Sequence, residues 1–218
     1  MPSVASREFA LAVGYVDQLI AIHRKLQTGR GRRYEQDAIH RAGIVMMIAA
    51  WESYVEKVAL EGLDAIERSA GIAAGGPQAV AAAGPPPWVK HAFGLRRTDI
   101  KNSIKRFNTP NAVNVRDLFE QVLEFSPWAH WSWHIRRRQW NQEEMRRRLN
   151  HWMDIRHSVA HGFPLPADIP WLQDARGRPR LTLDLLKECK DLFLRLVVQT
   201  DTAFSVFLRD HHGIQLPW

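Results

Sequence analysis

Apolar residues recur along this chain at helical, not strand, spacing. Phe9, Val13, Val16 and Ile20 stand at i, i+4, i+7 and i+11, one face of a helix running roughly from residue 5 to 27. "TGRGRR" then interrupts the pattern. Ile44, Ile48, Trp51, Val55, Val58 and Gly62 form a second stripe, with Leu63 and Ile66 beside it and Gly71 as a stop. Between Met46 and Ala50 this helix is apolar around much of its circumference, as expected of the centre of a bundle or of a subunit interface. "RRTDIKNSIKRF" predicts a short helix, and "VRDLFEQVLEF" another through Val115, Leu118, Phe119, Val122 and Leu123. Asn141 and Glu144 have capping-box spacing. Met145, Leu149, Trp152 and Val159 then give an amphipathic helix to about His161. The last helix runs from about Leu183 to Leu208.

Two stretches lack periodicity. Residues 70–90 are rich in Ala, Gly and Pro and read as a loop or insertion, and residues 163–181 as a loop before the C-terminal helix. "SPWAHWSWHIRRRQW" is irregular, with Ser126 and Pro127 placed like a cap and a first helical residue. No segment alternates with period two for long. The expectation is an all-α antiparallel bundle of five or six helices, one domain over residues 1–218 with a long Ala/Gly/Pro-rich insertion.

Composition narrows the chemistry. The 218 residues are 45% hydrophobic, enough for a real core, and nine are Trp. The formal net charge of +7 favours a polyanionic partner such as nucleic acid. With the single cysteine Cys189, an internal disulfide and a cysteine-based zinc site are excluded. The longest apolar run, "GIVMMIAAW", is too short to span a bilayer. With no secretory signal pattern at the N-terminus, the expected location is cytoplasmic, with no membrane partner.

The candidate chemistry sits in "MDIRHSVAHGFPLP". Successive helical residues are about 100° apart, so Arg156 falls about 20° from the line of Met145, within the apolar stripe. A charge there needs a partner or a wet cleft. A structural pairing with a buried carboxylate such as Glu52 is one reading. His161 lies about 140° around the helix from Arg156, so the two do not share a face on an ideal helix. A tightened last turn, or a second copy of the helix across a two-fold axis, would complete the set. His157 and His161 do share a face. That spacing can bind a metal, but no HExxH glutamate or cysteine accompanies it, and neither a metal nor a cofactor is expected. Histidine can act as general acid or base near neutral pH. Arginine can neutralise phosphate through paired hydrogen bonds. Together they suit attack of an RNA 2′-hydroxyl on the adjacent phosphate. Upstream, Arg136, Arg137, Arg138, Arg146 and Arg147, with Arg148 and the indoles of Trp128, Trp131 and Trp133, are candidate RNA contacts. They can equally be a solvated face over a tryptophan core.

At these residues the chain resembles a known family. "RHSVAH" fits the R-x(4–6)-H motif of HEPN domains. "GIVMMIAAWESYVEKVALEGL" resembles the early helix of RiboL-PSP-type HEPN proteins, "FNTPNAVNVRDLF" the segment before their catalytic region, and "LNHWMDIRHSVAHG" their motif-bearing helix. The likeness covers roughly residues 35 to 165, less the insertion. It implies an all-α bundle that dimerises to build a composite cleft, and metal-independent endoribonuclease activity of the kind found in toxin–antitoxin, CRISPR and antiphage systems. Arg156 and His161 would be catalytic, with His157 and Glu52 in support. RNA, a second copy, and an antitoxin or defence-system protein would be the partners. Phe163 stands where some toxin members carry a tyrosine that an antitoxin modifies, so that route of inactivation is not expected here. Some HEPN domains only bind ligands or dimerise. A non-catalytic nucleic-acid- or protein-binding module, and a structural bundle with an Arg156–Glu52 pair, therefore remain alternatives.

Overall fold

The computed structural model describes residues 2–26, 36–70, 87–106, 110–135 and 138–215. Among these are six α-helices: α1 (Val4–Lys25), α2 (Gln36–Ser69), α3 (Pro87–Arg106), α4 (Ala112–Leu123), α5 (Gln142–His161) and α6 (Leu183–His212). The all-α class read from the periodicity is correct. Two three-residue strands depart from it. β1 (Trp133–Ile135) and β2 (Arg138–Trp140) form an antiparallel hairpin with Trp133 opposite Trp140. Aromatic and β-branched residues favour such pairing, but three residues are too few to show as alternation. Ser126 makes no side-chain cap, and Pro127–His130 is a 3-10 turn.

α2 is the axle. It packs against α1, α3, α4, α5 and α6, and its buried residues extend from His40 to Ala65. Two of its glycines let α6 approach. A Cβ at Gly43 would lie 2.8 Å from Leu186, and one at Gly62 would lie 2.2 Å from Phe204. Trp51 is fully buried at the middle of this contact, against Tyr54, Trp131 and Phe193, and its indole N–H donates to the Pro110 carbonyl at 3.2 Å.

The start of α1 is tied down by polar groups. Ser3 Oγ caps the helix by accepting from the Ser6 amide and donates to Asp201 Oδ1 at 2.6 Å, while the Ser3 amide donates to Asp201 Oδ2 at 2.9 Å. The Tyr54 hydroxyl also reaches Asp201, at 3.3 Å. A buried carboxylate is tolerated when several donors face it, and this one fastens α1 to α2 and α6.

The expected loop at 70–90 falls mostly outside the described residues, and its end is corrected. Pro87–Lys90 is the first turn of α3, where proline at the first helical position needs no amide partner. Between α5 and α6 the chain makes a 3-10 turn at Pro170–Leu172 and an isolated bridge between Gln173 and Pro179. Cys189 is fully buried in α6, as its apolar context implies. No helix among the described residues is long and apolar enough to cross a membrane.

Candidate active site at the end of α5

α5 is defined at both ends by local chemistry. Asn141 and Glu144 form the expected capping box: the Glu144 amide donates to Asn141 Oδ1 at 2.9 Å and the Asn141 amide to Glu144 Oε2 at 3.3 Å. At the other end Gly162 adopts φ 71°. There the Phe163 amide donates to the Ser158 carbonyl at 2.8 Å and the Gly162 amide to the Val159 carbonyl at 3.4 Å, a Schellman closure. The position of Phe163 beyond the helix end is thereby fixed by backbone.

Met145, Leu149, Trp152 and Ile155 are buried along the helix. Arg156 continues this side and emerges at its edge. Its Nη2 lies 3.9 Å from Glu52 Oε2 on α2, and each side chain keeps 26% of its surface exposed. That is an ion pair at the outer limit of range and too long for a hydrogen bond. Burial pushes the Glu52 carboxyl above its ordinary value, and Arg156 pulls it back. Glu56, one turn further along α2, is raised by burial and by the Glu52 charge, against an opposing pull from Lys57. Sequence reasoning named Glu52 and missed Glu56, although the i, i+4 spacing was there to be read.

His157 and His161 are exposed, with ring centroids 4.5 Å apart, and Phe163 lies 5.8 Å from both, stacked on His161 at 26°. These three rings form one cluster at the helix end. Among the described residues no hydrogen bond or ion pair joins Arg156 to His161. The structure thus pairs Arg156 with Glu52, and His161 with His157 and Phe163, as two adjacent groups. No group of three or more His, Cys, Asp or Glu side chains among the described residues is placed to hold a metal ion.

A further group flanks α5. Asp154 is raised by burial and by Asp168, with His151 and His157 pulling it down. His151 is lowered chiefly by burial, and its Nδ1 accepts from the Trp171 indole at 3.3 Å. Asp168 and Trp171 come from the loop after the helix, so helical spacing gave no signal for them.

The basic and aromatic candidates divide. Arg136 and Arg137 lie outside the described residues, and Arg138 is placed on β2 by its backbone alone. Arg146 sits 4.3 Å from the Trp128 ring, which Arg116 approaches to 4.9 Å. Arg147 is 61% exposed and paired with Glu143 at 3.3 Å. Arg148 pairs with Glu188, lies 3.4 Å from the Trp171 ring and is only 11% exposed. Trp131 is fully buried, its indole donating to Thr200 Oγ1 at 2.9 Å, and so offers no face to a base. Trp128 and Trp133 are half-buried.

No curated protein and no solved structure matches the chain. The family model described as RiboL-PSP-HEPN matches residues 15–206, a span wider than the likeness visible in the quoted segments and inclusive of Glu52, Arg156, His157 and His161. On the strength of a match over most of its length, the chain belongs to the RiboL-PSP-HEPN family.

Proposed function

We propose that this protein is a metal-independent endoribonuclease, acting in the cytoplasm as a toxin or antiphage effector. The observation that carries this reading is Arg156. It stands on the buried side of α5, yet its guanidinium is partly open and held by Glu52 only at 3.9 Å. Arg148, two turns earlier, is covered by Trp171 and paired with Glu188. A purely structural arginine is served by the second arrangement. The first leaves donors available to a phosphate.

In the reaction the RNA 2′-oxygen attacks the adjacent phosphorus and the bond to the 5′-oxygen breaks. The products are a 2′,3′-cyclic phosphate and a 5′-hydroxyl. Arg156 stabilises charge on the phosphate oxygens, and Glu52 orients the guanidinium. One proton leaves the 2′-hydroxyl and one reaches the 5′-oxygen. Two copies of α5 across a two-fold axis would supply two His161 imidazoles, one for each transfer. The pairing would also bring a histidine to Arg156, whose ion-pair partner among the described residues is Glu52. Beside Glu52, α2 exposes Ala42, Met46 and Ala49, a small apolar surface suited to such a pairing. Exposed Arg147 and the arginine run 136–138 would contact the RNA backbone, and an antitoxin or defence-system protein would restrain the activity.

The test is incubation of wild type, His161→Ala and Arg156→Ala with a mixed RNA pool in EDTA, followed by mapping of the ends. Cleavage by wild type alone, leaving cyclic phosphates, is the expected result. Equal cleavage by all three would remove this site from consideration. The second reading, a non-catalytic module binding nucleic acid or protein, draws on the absence of any Arg156–His161 contact within one chain. Binding of RNA without cleavage by wild type would favour it.

A further inference from the structure

Phe163 follows the glycine stop of α5, and it is 54% exposed. The Schellman closure needs only the backbone amide of this residue, which donates to the Ser158 carbonyl at 2.8 Å. Where the side chain contributes to such a helix end, it does so by packing on an apolar residue of the last turn. The turn here offers Ser158 and His157 instead. The Phe163 ring lies 5.8 Å from the rings of His157 and His161, and both histidines are themselves exposed. So the ring covers polar, solvated neighbours and gains little burial. Stability gives no reason for a phenylalanine at this place.

The segment that carries it has one further property. From Gly162 to Ala167 the chain reads Gly-Phe-Pro-Leu-Pro-Ala, without a side chain that can donate or accept a hydrogen bond. Pro164 and Pro166 restrict its backbone. Phe163 is therefore an open aromatic face on a restrained segment, held at both ends of its own residue: by the helix closure before it and by a proline after it. Its plane is within 26° of that of His161.

We propose that Phe163 is a stacking platform for the base next to the scissile phosphate, and that it gives cleavage a preference for purines there. Resting on the endoribonuclease reading, this names the part of the substrate that the same site recognises. Unpaired RNA bases stack on aromatic side chains, and stacking needs only the π-face that every base has. The 5.8 Å between the Phe163 and His161 rings is on the scale of one nucleotide from base to phosphate. A base on Phe163 thus brings its phosphate to the imidazole. With no hydrogen-bonding side chain between Gly162 and Ala167, the platform does not read base edges. Selection falls to stacking strength, which favours the larger ring system of a purine. An exposed aromatic can also anchor a partner protein, but such a contact would give no reason for the ring to lie along a histidine of the site.

Two measurements on the full chain test it. The first is a fluorescence anisotropy titration of labelled deoxyadenylate and deoxyuridylate hexamers, which lack the 2′-hydroxyl and so bind without being cut. The second is end mapping of the RNA pool, with KM and kcat on one RNA from it that wild type cleaves. Phe163→Leu keeps apolar bulk without a π-face, and Phe163→Trp enlarges that face. Phe163→Leu is expected to weaken deoxyadenylate binding roughly 5- to 100-fold, the range for one lost base stack, and deoxyuridylate binding less. It should raise KM by a similar factor at unchanged kcat and pH profile, as for an interaction made equally in ground and transition states. The excess of purines beside the wild-type ends should disappear. Phe163→Trp is expected to bind deoxyadenylate more tightly than wild type. Cleavage by wild type with no purine excess overturns the proposal and leaves the nuclease reading standing. The same holds for a Phe163→Leu variant with wild-type affinities and ends, which would leave the ring to a protein partner. A wild type that cuts no RNA in the pool removes the endoribonuclease reading and this one with it. Should Phe163→Leu unfold, as judged by circular dichroism, Phe163→Trp decides, and deoxyadenylate binding no tighter than that of wild type counts against the platform.

Discussion

Two histidine pairs occupy opposite circumstances in this molecule. His23, at the end of α1, and His40, near the start of α2, have ring centroids 4.9 Å apart and are 5 and 6% exposed. Neither ring nitrogen of His40, nor Nδ1 of His23, has a hydrogen-bond partner. His157 and His161 are as close, at 4.5 Å, but stand open to solvent at the end of α5, beside Phe163. For His40, burial holds the imidazole below its ordinary value. An exposed one is reachable by solvent and, under the proposed reading, by substrate. Proximity of two histidines therefore says little about function. Access to solvent, and what stands beside the pair, separates the two.

The largest expected difference between the pairs is in activity. His161→Ala should lower RNA cleavage by roughly 10²- to 10⁴-fold, the usual loss for a general acid or base, while stability changes by no more than ~0.5 kcal/mol, as for an exposed residue. His40→Leu should leave cleavage intact. If the two variants lose activity equally, the contrast collapses. In stability the ranking reverses. His40→Leu exchanges an unpartnered buried polar group for an apolar one and should stabilise by about 1 kcal/mol, read in calorimetry at pH 8 as a rise of roughly 2–4 °C. A fall in melting temperature would reveal that the imidazole has a partner. Gly162→Ala should lower stability by ~1 kcal/mol, because alanine is disfavoured at φ 71°. Its cleavage should drop only several-fold, since Phe163 shifts while Arg156 and His161 remain. Loss as deep as in His161→Ala would mean that the helix end matters as much as the imidazole.

The smallest effect is in pH dependence. Burial, the largest cause, and the neighbouring His23 hold His40 below its ordinary value, with Arg180 adding to this and the Leu181 backbone, close by but outside hydrogen-bond geometry, and Asp37 opposing. A folded value below the unfolded one means that the unfolded chain binds more protons in between. Stability is then complete above about pH 6.5, the ordinary histidine value, and is lost as pH falls through the folded value of His40. Glu52 has the opposite sign. Its raised carboxyl contributes stability below its unfolded value that is lost as pH rises through the folded one. Melting temperatures from pH 8 to 5.5 should decline in wild type and flatten in His40→Leu. Parallel curves would assign the acid sensitivity to another group.

Much of α5 was legible because a helix is a local structure. The capping box, the stop at Gly162, the burial of Met145, Leu149 and Trp152, and the place of Arg156 on that side all follow from 3.6 residues per turn. So does the separation of Arg156 from His161. Glu52 as the partner was a sound guess, since few acids sit beside an apolar stripe. Arg146, Arg147 and Arg148 read alike in sequence, yet one covers Trp128, one is exposed and one is nearly buried under Trp171. Their fates depend on a loop and on α6.

By itself, the sequence determined the class of the fold, the limits of most helices and the residues that carry the candidate chemistry, because hydrophobic periodicity, caps and glycine stops act within a few residues. Tertiary structure alone decided which charged groups meet. It set Arg156 at arm's length from Glu52, sealed His23 against His40 and laid Phe163 on His161. Those outcomes are fixed by how helices far apart in sequence pack around α2, where burial and distance set the strength of every polar contact.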